Sequence, residues 1–101
     1  MSDGATVGDV IARALAAHGT LGTLGEEIED EWTYVTDLMA AWTARLGAVV
    51  AVRGAEPLDP AVDVAVDRAI AEIGLITDPH RAIDWLSTFP QVVLVALGEG
   101  L

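Results

Sequence analysis

Seven apolar residues, Ile28, Trp32, Val35, Met39, Trp42, Leu46 and Val49, form the most regular pattern in the chain. Their spacings of 4, 3, 4, 3, 4 and 3 residues put them on one stripe of an α-helix and match a coiled-coil heptad. Two of the three tryptophans lie on this stripe. The pattern predicts one long central helix over residues 24–53. Thirty helical residues span about 45 Å. A compact domain of this length has a diameter of roughly 33 Å. The helix must therefore bend near Gly47 or lie against a second copy of the chain, and the heptad favours the second copy.

The predicted helix changes character along its length. Five of the six residues from Glu26 to Glu31 are acidic. Acids suit the positive end of a helix dipole, and Thr23 with Glu26 has capping-box spacing. The polar back formed by Glu27, Asp30, Thr33 and Asp37 gives way to Ala40, Ala41, Ala44, Ala48 and Ala51. Small residues let neighbouring helices approach closely. The second half is thus expected inside the subunit, with Trp42 and Leu46 buried, and Trp32 is expected at an intersubunit contact.

Shorter helices flank it. Thr6 and Asp9 have capping-box spacing before the apolar face of Val7, Val10, Ile11, Ala14 and Leu15, and Gly19 after His18 reads as a left-handed stop. Asp59-Pro60 and Asp78-Pro79 each place a capping acid before a proline at the first helical position. Pro90 is expected to end the fourth helix near Ser87 and to open a short fifth one, closed by Gly98. The run Gln91–Leu97 lacks a polar face and suits a buried or interfacial segment. It and Ala48–Val52 also suit strands by composition, because so short a run has no decisive period. The reading is an all-α, bundle-like single domain of four to five helices spanning residues 1–101, with a frayed tail at residues 1–5.

Charge and composition narrow the function. Sixteen acids stand against five bases, all arginine, for a net charge of −11. Nucleic-acid backbones and anionic membranes are bound through basic residues, so neither is an expected partner. Cysteine is absent, which removes disulfides, thiolate metal sites and cysteine nucleophiles. The N-terminus lacks the pattern of a signal peptide, and the longest apolar run, Val92–Leu97, is far short of the ~20 residues of a spanning helix. A cytoplasmic protein is expected.

Motifs of catalysis are missing. Glu27 and Glu31 lie one turn apart, and His80 stands near Asp78 and Asp84. However, the chain has no Glu-x-x-His pair of the di-iron kind, no Gly-x-Ser-x-Gly and no phosphate loop. The rhythm of residues 14–42 resembles a helix-turn-helix, yet its second helix would open on five acids and be repelled by phosphate. The expectation is a non-catalytic helical protein without cofactor or metal that acts as an oligomerisation or protein-interaction module, most simply as a homodimer. The residues expected to meet a partner are Ile28, Trp32, Val35, Met39, Glu27, Asp30, Glu31, Val92, Val93 and Val95. The alternative is an acidic decoy, mimicking DNA or inhibiting a partner by occupying its basic site. A metal-dependent enzyme using Glu27, Glu31 and His80 is a third, weaker reading.

Overall fold

A computed structural model describes residues 5–99. It is all-α, with four helices: α1 (Val7–Gly25), α2 (Trp32–Arg53), α3 (Pro60–Ile73) and α4 (Pro79–Ala96). Most of the expected frayed tail, residues 1–4, lies outside the described residues. Ala5 accepts a hydrogen bond from Leu58 N at 3.0 Å.

The start of α1 follows its sequence signal. Thr6 and Asp9 make both bonds of a capping box. The next two N–H groups, Val7 N and Gly8 N, donate to Glu56 O and Gly54 O of the α2–α3 loop, each at 3.0 Å. That loop therefore satisfies the first-turn donors that a helix leaves unpaired. The predicted stop at Gly19 does not occur, and α1 continues six residues further, to Gly25. A glycine ends a helix when it turns left-handed, and the only positive φ among the described residues is at Gly98. Gly22 and Gly25 serve instead as places of close approach. A Cβ on Gly22 would lie 2.8 Å from Met39 Sδ, and one on Gly25 would lie 3.1 Å from Ile83 Cγ1.

The long helix predicted from residue 24 is broken. Residues 24 and 25 belong to α1, Ile28 takes an extended conformation, and Glu29–Glu31 form one 3-10 turn before α2 begins at Trp32. Thr23 does not cap α2, since its hydroxyl donates to Gly19 O within α1. The acid-rich stretch therefore links two helices rather than extending one. Ala48–Val52 and Gln91–Ala96 are helical, which settles the strand alternative.

Both aspartate–proline starts hold: Asp59 caps α3 through Ala61 N, and Asp78 caps α4 through His80 N. Pro90 ends nothing and lies buried inside α4. It has no N–H for the Leu86 carbonyl four residues back. His18 of α1 supplies that carbonyl with a donor instead, Nε2 to O at 2.8 Å. The predicted fifth helix is thus the second half of α4. It closes as expected at Gly98 (φ 79°), where Glu99 N bonds Leu94 O and Gly98 N bonds Val95 O, the pair of bonds of a Schellman motif.

The centre of the bundle is α1 with α4. Each of these two helices touches all three others, and α2 and α3 lie on their flanks. The expectation of a central helix over 24–53 is corrected accordingly. The reason lies in apolar width. Helix α1 buries Val7, Val10, Ile11, Ala14, His18 and Leu21, and α4 buries Ala82, Leu86, Phe89, Pro90, Val93 and Leu94. Helix α2, although longer, buries only Val35, Leu46 and Val49. The molecule measures 46 × 25 × 25 Å.

Candidate interaction surface

Helix α2 rests on the bundle by a narrow stripe. Val35, Leu46 and Val49 are buried, and Leu38, Met39 and Trp42 are partly covered. The remaining circumference faces outward. It includes Trp32 (54% exposed), Tyr34, Val50 and Val52 (83% exposed). The alanine-rich back expected inside the subunit, Ala40, Ala41, Ala44, Ala48 and Ala51, is exposed, as is Gly47. This corrects the expectation that the second half of the helix is enclosed. Leu46 is buried as expected, whereas Trp42 is only partly so.

The ten residues expected to meet a partner separate into distinct places. Val35 and Val93 are wholly buried and belong to the subunit core. Met39 is half-buried against Gly22. Ile28 is half-buried in the α1–α2 turn, where Glu27 and Asp30 are exposed and Glu31 is half-exposed. Trp32, Val92 and Val95 are exposed. Val92 and Val95 line a shallow apolar groove of about 690 Å³ between α2 and α4, with Thr88, Gln91, Ala96 and Trp42. Arg45 stacks over Trp42 at 5.2 Å from the ring centroid, a cation–π contact.

Of the eight large hydrophobic residues that stand exposed among the described residues, four are on α2 and two on α4. The charges are distributed in the opposite sense. Helix α2 carries one acid, Asp37, and two of the five arginines, Arg45 and Arg53, a net charge of +1 in a chain of net charge −11. Arg53 is engaged, donating to Leu97 O at 2.8 Å, to Glu99 at 2.6 Å and to Glu56 at 3.0 Å. The carboxylates of Glu99 and Glu56 hold its guanidinium even more firmly protonated than usual. Asp37 and Arg45 are exposed. The stretch Glu29–Arg53 is also long and apolar enough to cross a membrane by length and composition, with 11% of an apolar 18-residue window within it buried. A reading by continuous apolar runs overlooks this, because Thr36, Asp37, Thr43 and Arg45 interrupt every run.

Comparison with protein families, curated proteins and solved structures found no match. The functional reading therefore rests on the surface itself.

Among the described residues, no three His, Asp or Glu side chains converge to hold a metal ion. His80 sits in the first turn of α4, and Glu27 lines a shallow pocket with Ile76 and Thr77 just before that helix. His18 is fully buried and donates through Nε2, and its Nδ1 has no hydrogen-bond partner. Burial lowers its pKa, against a smaller upward pull from the Leu86 carbonyl. This histidine, expected at a helix end, proves to be part of the core.

The signal that locates the exposed face is present in the sequence. Thr33, Asp37, Ala40, Ala44, Gly47 and Ala51 repeat at spacings of 4, 3, 4, 3 and 4 residues, a second heptad on the back of the first. Large side chains draw attention to the first seam, and that is the one the subunit consumes.

Proposed function

We propose that this protein is a non-catalytic helical assembly module that associates with a second copy of itself through the outer surface of α2 and the adjoining face of α4. One observation carries the reading: in a protein of net charge −11, the exposed face of the longest helix carries only Asp37 and Arg45 as charges and sets Trp32, Tyr34, Val50 and Val52 out among exposed alanines. Depletion of charge with enrichment of aromatic residues is the compositional mark of an interface core. The scale also suits. A 22-residue helix is about 33 Å long, and a face two helices wide covers roughly 700 Å², near the ~800 Å² per partner of a standard interface.

A bilayer is the weaker occupant. Asp37 and Arg45 fall in the middle part of α2, where a charged residue costs about 2.5–3.5 kcal/mol in a membrane. Light scattering on the eluting protein tests the proposal. A mass of two chains at micromolar concentration, reduced to one chain by Ala44→Glu with helix content unchanged, is the expected result. A wild-type monomer, or flotation with neutral phosphatidylcholine vesicles, would refute it.

The exposed acids of the α1–α2 turn support a second reading, an acidic docking surface for an arginine-rich partner. A complex that forms at low salt and is lost on neutralising Glu27, Asp30 and Glu31 together would favour it.

A further inference from the structure

We infer that the two copies pair their α2 helices antiparallel, about a twofold axis beside Ala41, with Asp37 of each copy level with Arg45 of the other. The inference rests on the proposed self-association and adds its geometry. Asp37 and Arg45 are exposed, opposite in charge and eight residues apart on α2, a rise of about 12 Å. Arg53, the other charged residue of this helix, is held by Glu56, Glu99 and Leu97 O of its own chain.

A twofold contact is isologous, so the operator fixes which charges meet. Parallel pairing sets Asp37 against Asp37 and Arg45 against Arg45. It also brings together two clusters of five acids each, at residues 26–31. Antiparallel pairing places each Asp37 near an arginine. It separates the acidic turns by roughly the 33 Å length of the helix, several times the ~8 Å screening length at physiological salt. An arrangement that puts repulsive contacts on the wrong orientation and attractive ones on the right one selects between them. The small side chains at Ala40, Ala44 and Ala48 let the two backbones approach, and Tyr34 of one copy then lies level with Ala48 of the other.

The absence of cysteine makes a clean test, because single cysteines report on self-contact. Exposed positions Tyr34, Ala41 and Ala48 tolerate the change. After mild oxidation, Ala41→Cys is expected to form a disulfide-linked dimer. Tyr34→Cys and Ala48→Cys, level with each other in this register, are each expected to stay unlinked alone but to cross-link when mixed. Charge reversal gives a second readout. D37R and R45D each weaken the dimer about tenfold, and the double variant restores it.

The outcomes are separable. A wild-type chain that is monomeric removes the assembly reading and this inference together. A dimer in which Tyr34→Cys and Ala48→Cys each link to themselves keeps assembly and overturns the antiparallel arrangement. A dimer that links at none of the three positions places the contact elsewhere and overturns it too.

Discussion

The Nε2–H of His18 in α1 donates to the carbonyl of Leu86 in α4, the one carbonyl whose helical donor is missing because Pro90 stands four residues on. A proline inside a helix costs ~3 kcal/mol or more, in part through that lost bond. Here the vacancy in α4 becomes a joint between the two central helices. A carbonyl oxygen only accepts, so Nε2 carries a hydrogen; burial and the lack of any acceptor at Nδ1 disfavour a second proton, which leaves the neutral Nε2–H tautomer with Nδ1 unpartnered. The ring also stacks on Phe89 at 6.5 Å.

Stability is expected to fall with acidity through this residue. Burial holds the His18 pKa below its ordinary 6.5 in the folded chain. The unfolded chain therefore takes up a proton first as pH falls through about 6.5, and the folded chain follows only at lower pH. The loss between those points approaches about 1.4 kcal/mol per pH unit for one proton. Above pH 7 both states are neutral and the contribution is flat. Urea unfolding at intervals between about pH 7 and pH 5 should show this slope in the wild type and a flatter line in His18→Leu. Equal slopes would refute the assignment.

The joint also predicts a coupling between His18 and Pro90. In the wild type, His18→Leu leaves Leu86 O buried without a donor, a cost of about 1–3 kcal/mol. In a Pro90→Ala background the restored N–H of residue 90 bonds that oxygen along the helix, so the same change costs less. A double-mutant cycle should return an interaction of about 1 kcal/mol or more between the two sites. Strict additivity would mean that the histidine does not serve the carbonyl that the proline frees.

Local signals were legible in the sequence and competition between helices was not. The caps at Thr6, Asp59 and Asp78 and the stop at Gly98 depend on a few neighbouring residues, and each is where those residues place it. Gly19 and Pro90 have the same local meaning, yet tertiary contacts override it: α1 gains the burial of Leu21 by continuing, and His18 meets the bond Pro90 forfeits. The heptad from Ile28 to Val49 was also real as a pattern. Its buried part, Val35, Leu46 and Val49, is spent on α1 and α4 inside one chain. Periodicity identifies which face is apolar and not which helix will cover it, so the exposed back of α2 emerged only from the packing.

Salt should weaken the bond between α1 and α3. Arg13 bridges Asp63 and Asp67 across that contact, and its hydrogen bond to Asp63 leads in holding the guanidinium protonated. All three side chains are more than a third exposed, so screening limits their worth to about 1 kcal/mol or less. Arg13→Ala is expected to lower stability by that amount at low salt. The deficit should shrink toward zero near about 1 M salt, where the screening length is ~3 Å. A deficit that salt leaves unchanged would assign the effect to the aliphatic stem of Arg13.

Two glycines of α1 should respond to alanine with opposite sign. Gly19 lies in the helix interior, with nothing within 4 Å of where a Cβ would sit. Gly19→Ala therefore gains helix propensity at no steric cost and should raise stability by about 0.5–1 kcal/mol. At a left-handed stop the same change would be destabilising, so its sign alone shows whether α1 continues through the position. Gly22→Ala gains the same propensity but drives its methyl group to 2.8 Å from Met39 Sδ and 3.0 Å from Cε. Overpacking of this kind costs about 1–3 kcal/mol, which outweighs the gain and leaves a net loss of about 1 kcal/mol. Met39→Ala loses packing on its own but opens the space that a methyl group at residue 22 needs, so in that background Gly22→Ala should become neutral or stabilising. Thermal unfolding of the four variants measures each of these signs, and a destabilised Gly19→Ala would refute the continuous helix.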